Sequence, residues 1–388
     1  MTGEGRVPET QSQARVATRF PARPQLLGDV SGAFGDLGTL LPYVVPALVA
    51  GILSPTPVFA GFAAGYALVA VVYRVPIAVQ PMKALGAAIL AGGLASRDIA
   101  WAGAIIGAVL LLLSATPLLE RAARLIPQSV VTGLQVGLGL GLALVGFAAI
   151  RADPLTGAAA LAVLGLTFVV PRGPWALLVV LGGILLGGGA VAPVSVAAAP
   201  SLQAVILGGV VPQLPLTLMN AVIVAAAVAR SFYGAAAHRV TERRLAATSG
   251  LLNLALVPFG AMPMCHGAGG IAAHHRFGAR TALAPTAIAL AAGAAALAGD
   301  EMVRLLAGIP SGVVGALLFW AAAELSFSRR LFDARPDCRP VIAAAAIGTV
   351  AAGATVGLLA GVAAEGVRAH VVRQARRKAE RTDRRRQT

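Results

Sequence analysis

Long apolar stretches recur along the chain, and they limit the folds that it can adopt. From Gly28 to His370 the apolar runs are roughly 16–23 residues long, close to the ~20 that a helix needs to cross a bilayer. Only 12% of the residues are charged, against about 25% in soluble domains. The sequence therefore predicts an all-α polytopic membrane protein.

The apolar runs form two sets of about seven. The first set covers 28–50, 57–73, 77–95, 99–119, 127–149, 155–171 and 175–193. The second set covers 216–236, 245–261, 266–275, 282–299, 310–326, 340–352 and 354–367. The predicted domains are a tail at 1–27, a transmembrane repeat at 28–193, a linker at 194–214, a second repeat at 215–367 and a basic tail at 368–388.

Positive charges fix the predicted orientation. Arg74, Arg172, the loop 238–244 and the segment 329–339 all fall on the side of the two basic termini. Because cytoplasmic loops carry an excess of Lys and Arg, we expect a multi-pass protein of the cell (inner) membrane with both termini cytoplasmic. The basic run at the end is interpreted as an anchor at anionic membrane lipid rather than as a nucleic-acid-binding segment.

Internal repetition supports two halves of opposite orientation. IAVQPMKALGAA at 77–88 resembles FGAMPMCHGAGG at 259–270, and LIPQSVVTGL at 125–134 resembles GIPSGVVGAL at 308–317. The offset in both pairs is about 182 residues. Since an odd number of spans per repeat inverts the second half, the pattern predicts the inverted repeat that many secondary transporters share.

Prolines inside two apolar runs predict helices that are broken in mid-membrane. Pro81 and Pro263 lack an amide hydrogen and disfavour helix in the preceding residue, so a new helix is expected to begin after each of them. Non-helical backbone at this depth must line a cavity or be buried in protein. The amides of a new helix favour an anion, and Gly267, Gly269 and Gly270 would let backbone approach it closely. Glycine is also a common packing residue in membrane helices.

Polar side chains beside the breaks are the candidate binding and coupling groups. Lys83 is the only lysine besides Lys378, and it is interpreted as a binding or coupling residue, with snorkelling or a structural ion pair as the alternative. His266 takes the matching place after Pro263 as a binding or proton-linked group. Asp36 could pair with either of these, carry a proton or cap a helix break.

Other polar residues are open to two interpretations. Asn220 and Thr217 could line the cavity or serve helix packing, and Arg230 could contact the anion or snorkel to the inner face. Glu324 could line an inner vestibule or lie at the interface, whereas Asp29 is interpreted as interfacial.

Metal and enzyme sites are not indicated. His274 and His275 are adjacent and point ~100° apart on a helix, so they make a poor metal pair. The two cysteines form no framework. No nucleophile elbow, Walker loop or catalytic dyad is recognisable, so we predict a non-enzymatic protein without a metal or cofactor.

The longer motifs resemble a known family. SGAFGDLGTLLPYVVPAL at 31–48 and FGAMPMCHGAGGIAAHHRFGAR at 259–280 are similar to segments of the MOT-type molybdate transporters, a branch of the sulfate permease superfamily. VQPMKALGAA at 79–88 and LPLTLMNAV at 214–222 also look like this family. Sulfate permeases proper usually end in a STAS domain, and the short segment after the last span fits the molybdate branch.

The resemblance implies a fold and a mechanism. It implies seven plus seven spans arranged as core and gate domains, short strands in spans 3 and 10 that meet at the substrate, and an elevator-like movement of the core. It also implies molybdate as the substrate and a homodimer. The implied site comprises Ser31, Asp36, Gln80, Met82, Lys83, Ala84, Asn220, His266, Gly267, Ala268 and Gly269, with Asp36 and His266 as candidates for proton coupling.

Two other functions remain alternatives at this point. A sulfate or broader oxyanion carrier of the same fold differs only in cavity size and donor placement, which residue spacing does not resolve. A passive anion channel would need a continuous hydrophilic path, and the breaks in mid-membrane argue instead for an occluded site.

Overall fold

The computed structural model describes residues 23–170, 175–187 and 201–387, and most of these residues are helical. The helices of the first repeat are α1 (Arg23–Ala33), α2 (Leu37–Val49), α3 (Pro55–Val72), α4 (Lys83–Leu90), α5 (Ser96–Ser114), α6 (Leu118–Leu125), α7 (Gln128–Ala152), α8 (Pro154–Gly165) and α9 (Trp175–Leu186). Those of the second repeat are α10 (Val211–Leu216), α11 (Ala225–Tyr233), α12 (Glu242–Leu256), α13 (Ala268–Arg276), α14 (Leu283–Leu297), α15 (Gly299–Ala307), α16 (Ser311–Ser326), α17 (Arg329–Phe332), α18 (Arg339–Ala352) and α19 (Ala354–Gln387). The strands β1 (Gln80–Pro81) and β2 (Met264–Cys265) precede α4 and α13.

Apolar helices account for the predicted spans. Among the described residues, six helical segments are long and apolar enough to cross a bilayer: Gln25–Val49, Pro55–Val72, Ser96–Ser114, Gln128–Ala152, Ala204–Arg239 and Ala354–Ala375. Four shorter apolar helices are Pro154–Phe168, Trp175–Leu186, Leu283–Leu297 and Ser311–Ser326. Together with α12, α18 and the two strand–helix segments, they form the predicted seven-plus-seven arrangement.

Helix packing follows the inverted repeat. α3 packs on α14, and the repeat-related pair α12 and α5 packs in the same way. Likewise, α7 packs on α18, as its counterpart α16 packs on α8. The two strands, one from each repeat, pair antiparallel. These contacts between the repeats therefore recur with the partners exchanged, as a pseudo-two-fold axis requires.

The helices separate into two bodies. The core contains α1–α5 and α10–α14, while the gate contains α7–α9 and α16–α19. The short helices α6 and α15, whose sequences LLERAARL and GDEMVRLLA mix charged and apolar residues, connect core to gate in the two repeats. The bodies meet where α2 packs on α16 and α9, and where α4 packs on α7. This boundary contains the cavities described below.

The eighth span begins earlier than the sequence predicts. Its helical turns begin at Ala204, inside the region predicted as a linker. They include π-helical turns at Ala204–Val210 and Thr217–Val224. Pro212 and Pro215 lie between these wider π turns, and the helix continues through them. Residues 194–200 of the predicted linker, the predicted tail up to residue 22 and Arg172 lie outside the described residues.

Candidate functional site

The two broken spans meet at their strands. Gln80 is opposite Cys265 and Pro81 is opposite Met264 in an antiparallel pair. The amide of Met82 also donates to the carbonyl of Pro263 at 2.9 Å. The strand pairing satisfies backbone groups that helix would otherwise satisfy, which a bilayer interior requires. The predicted breaks at the two prolines are confirmed.

The extended segment between the proline and the new helix is longer in the second repeat, and side chains of neighbouring elements hold it. α4 begins two residues after its proline, whereas α13 begins five residues after Pro263. The side chain of Asn253 on α12 forms two hydrogen bonds to the backbone of Met264. Its Nδ2 donates to the Met264 carbonyl at 2.5 Å, and its Oδ1 accepts from the Met264 amide at 3.0 Å. The buried ring of His266 contacts Thr248 Oγ1 at 2.7 Å and the Ala78 carbonyl at 3.0 Å.

The amides at the start of α4 are already occupied. Oε1 of the buried Gln213 accepts from the amides of Ala84 at 2.9 Å and Leu85 at 3.1 Å. Its Nε2 donates to Thr217 Oγ1 at 2.8 Å. The expectation that both helix starts present unpaired amides is therefore wrong for α4, because a side chain from span 8 caps it.

The amides at the start of α13 are free. Gly267 stands at the N-cap in extended conformation and provides no side-chain cap. Within the described part of the chain, no residue accepts a hydrogen bond from the amides of Ala268, Gly269 or Gly270. These donors and the positive end of the helix dipole form a site that favours an anion.

Two cavities lie at the boundary of core and gate. The smaller cavity has a volume of about 260 Å³, and the larger has about 590 Å³. Lys83, Gly269 and Glu324 line both of them. Other polar residues of the smaller cavity are Gln80, Gln135, Gln213, Asn220, His266, Ser328 and Arg330. Those of the larger cavity are Ser31, Asp36, Thr39, Thr167, Arg276 and Trp320.

Two cations reach the smaller cavity from opposite bodies. Lys83 belongs to the core and has no hydrogen-bond or ion-pair partner among the described residues. Arg330 follows the gate helix α16, is only partly exposed and donates from its Nη1 to Oδ1 of Asn220. Sequence reasoning placed Arg330 only in a positive cytoplasmic segment, since nothing in the local pattern separates it from Arg329 beside it.

Asp36 is held in a hydrogen-bonded cluster behind the site. It is buried and accepts from Gln80 Nε2 at 2.7 and 2.8 Å and from Thr39 Oγ1. Gln80 Nε2 also donates to Thr39 Oγ1 at 2.6 Å. Gly270 packs directly against this cluster. A Cβ atom added at Gly270 would lie 2.5 Å from Ala78 Cβ and 2.6 Å from Asp36 Cγ. Asp36 ends the 3-10 turn Phe34–Asp36 that joins α1 to α2, so the cluster connects this turn to β1 and to the start of α13.

The other predicted site residues are distributed around the cavities. Ser31 is exposed in the larger cavity, while Gly267 and Ala268 line the smaller one. Met82 and Ala84 are buried, and neither of them lines either cavity.

Two polar residues noted in the sequence lie elsewhere. Arg230 is exposed and forms an ion pair with Glu242 at 2.7 Å. Asp29, interpreted as interfacial, is fully buried and accepts hydrogen bonds from the amides of Arg280 at 2.6 Å and Thr281 at 2.9 Å. It therefore fastens α1 to the segment before α14.

Comparison with known proteins identifies the family. The profile described as "Molybdate transporter of MFS superfamily" matches residues 28–142 and 205–325. "Molybdate transporter 1" of Arabidopsis thaliana is 30% identical, with 84% of this chain and 86% of that protein covered. "Molybdate transporter 2" of the same plant is 28% identical, with 85% and 84% covered. This chain belongs to the molybdate transporter family.

Solved structures of anion transporters share the fold of this protein. The transmembrane domain of the cyanobacterial bicarbonate transporter BicA matches with a TM-score of 0.63 at 17% identity, covering 88% of this chain and 98% of that domain. SLC26A9 matches with a TM-score of 0.63 at 15% identity, covering 89% of this chain and 65% of that chain. The chain is therefore a membrane protein that shares the seven-plus-seven fold of these transporters.

Proposed function

We propose that this protein transports molybdate across the cell membrane by alternating access, with the anion bound in the smaller cavity. The observation that carries the proposal is the convergence of Lys83, Arg330 and the free amides at the start of α13 on that cavity. The two plant relatives named as molybdate transporters support molybdate as the substrate.

The donors suit a tetrahedral dianion. Such an anion has four oxygen acceptors and no donor, so it needs hydrogen-bond donors from several directions. The amides of Ala268 and Gly269 approach from the core, together with Lys83, and Arg330 approaches from the gate side. Charge-assisted hydrogen bonds of this kind are about twice as strong as neutral ones, so the two cations supply much of the binding free energy.

The position of the site suits an elevator-like movement. The residues that would hold the anion are divided between core and gate, and the hydrogen bond from Arg330 to Asn220 crosses the boundary. A shift of the core would carry Lys83 and the α13 amides with the anion, while it would leave Arg330 behind. The bond between Arg330 and Asn220 must then break in each transport cycle.

Further parts of the proposal concern the membrane and assembly. The basic residues near both termini support an inner-membrane protein with cytoplasmic termini. A homodimer remains a proposal that rests on the resemblance to the superfamily. His266, predicted as a binding or coupling group, contributes to the site by holding Gly267 in place through its contacts to Thr248 and Ala78.

Uptake into proteoliposomes that contain only this protein tests the proposal. Radiolabelled molybdate should accumulate with saturation, and an excess of sulfate should compete only weakly. Liposomes without protein provide the control. Equal competition by sulfate would assign a broader oxyanion carrier, uptake that does not saturate would indicate a passive channel, and absence of uptake would contradict the proposal.

A further inference from the structure

Glu324 is a carboxylate in the transport path that the proposed function does not use. It lies on the gate helix α16, lines both cavities and is exposed to them. Its only hydrogen bond among the described residues comes from Trp320 Nε1 at 3.2 Å. Lys83 and Gly269 also line both cavities. Glu324 therefore faces the same space from the gate that Lys83 faces from the core.

Few ionisable groups surround Glu324. The helices α2, α7, α8 and α9 pack on α16. Of these, α2 contributes Tyr43, and α8 and α9 contain no ionisable residue. The one charged residue of α7 is Arg151, which is exposed at the end of α7 far from Glu324. Charged groups across the cavities are Lys83, Asp36, Arg276 and Arg330. The charges of Lys83 and Asp36 interact with that of Glu324.

The charge balance of the smaller cavity changes with the protonation of Glu324. Its charged lining residues are Lys83, Arg330 and Glu324. When Glu324 is ionised, these residues carry a net charge of +1, and a bound dianion leaves one excess negative charge. When Glu324 is protonated, the two cations match the dianion. An uncompensated charge is costly away from bulk water, so binding of the dianion favours protonation.

We propose that Glu324 binds a proton when the dianion enters the smaller cavity and, because it stays on the gate, releases that proton to the other side once the shifted core has carried the anion there, which makes Glu324 the proton-coupling residue. This inference rests on the proposed function, because it assumes a dianion in the smaller cavity. The two candidates from the sequence are placed differently. The oxygens of Asp36 are held by Gln80 and Thr39, and both ring nitrogens of His266 contact protein atoms.

The inference predicts that proton and anion binding help each other. By linkage, each ligand raises the affinity for the other by the same factor. Where Glu324 is ionised in the free protein, the affinity for molybdate should fall about tenfold for each unit of rising pH. Molybdate itself stays a dianion around neutral pH, so such a slope would come from the protein.

Molybdate binding to the purified protein, measured by titration calorimetry at a series of pH values around neutrality, tests this prediction. The wild-type protein should show the falling affinity. Glu324→Gln should bind at every pH as tightly as wild type does at low pH, and the slope should vanish. The matched control is Glu301→Gln, because Glu301 is an exposed carboxylate paired with Arg304 outside both cavities. It should keep the wild-type slope.

The outcomes separate the two proposals. If the wild-type protein does not bind molybdate at any pH, the proposed function fails. If it binds with no pH dependence, or if Glu324→Gln keeps the slope while Asp36→Asn or His266→Gln loses it, only the assignment of Glu324 is overturned.

A second measurement covers the case in which Glu324→Gln does not fold. A pH-sensitive dye inside wild-type proteoliposomes should report acidification during molybdate uptake, and Glu324→Asp, which keeps the carboxylate, should preserve it. Uptake without acidification in the wild-type protein would contradict the inference.

Discussion

The starts of α4 and α13 are related by the pseudo-symmetry of the fold, yet they differ in chemistry. At α4, Gln213 occupies the amides of Ala84 and Leu85, and the first residue of the helix is a lysine. At α13, the first amides are free and the first three residues are alanine and glycines. One helix start contributes a side-chain charge, and the other contributes backbone donors.

In the proposed site, this difference supplies two kinds of donor to one anion within a symmetric fold. Two free helix starts would surround the ligand with donors from both sides but without a full positive charge. The cap on α4 stabilises that helix without an anion, so Lys83 remains positioned when the site is empty. The free amides of α13 are then the backbone groups that a substrate completes.

The largest expected effect comes from filling the space behind the free amides. Gly270→Ala places a methyl group 2.5 Å from Ala78 Cβ and against the Asp36 cluster, so the start of α13 must shift. Overpacking of this kind costs ~1–3 kcal/mol, and the shift misdirects the amides. We expect uptake to fall to the level of empty liposomes. Gly141→Ala, whose new methyl group meets open space on α7, is the matched control.

Removal of the charge at the other helix start should have the next largest effect. Lys83→Ala deletes an ionic hydrogen bond to the anion worth about 1.5–3 kcal/mol, and the Kd for molybdate should rise ~10- to 100-fold. Arg280→Ala is the control, because the Arg280 guanidinium donates to the carbonyls of His275 and Ala279 and lines neither cavity. Equal losses in the two variants would contradict the site.

A smaller effect is expected from a change of the cap itself. Gln213→Glu keeps an acceptor for the α4 amides but adds a negative charge beside the smaller cavity. The melting temperature should be retained, while molybdate affinity should fall about tenfold, or ~1.4 kcal/mol. Gln213→Leu removes the acceptor and should instead lower the free energy of unfolding by ~1–3 kcal/mol. Unchanged affinity in Gln213→Glu would argue against an anion in this cavity.

Sequence reasoning reached the fold because the bilayer imposes strong local rules. The number of spans, the positions of the breaks and the internal repeat are visible as apolar runs and prolines, and the structure confirms them, whereas the eighth span starts earlier than predicted. Lys83 was also recognisable, since a lone lysine in an apolar run is rare.

The contacts across the site could not be predicted from the sequence pattern, because they join residues that are far apart in the chain. Gln213 caps amides 129 and 128 residues away, and Arg330 reaches Asn220 across 110 residues. Asp29 looked interfacial, because burial by the distant segment before α14 leaves no local signal. Only the packing of core on gate determines which of many arginines enters the cavity.

We expect the free amides of α13 and the ammonium group of Lys83 to bind the same anion. Diffraction from crystals soaked in molybdate, with data collected at the molybdenum absorption edge, tests it most directly. One anomalous peak should appear in the smaller cavity, and the oxygens of that anion should lie within hydrogen-bonding distance of the Ala268 and Gly269 amides and of Lys83 Nζ. A peak confined to the larger cavity beside Arg276 and Ser31, with the smaller cavity empty, would contradict it.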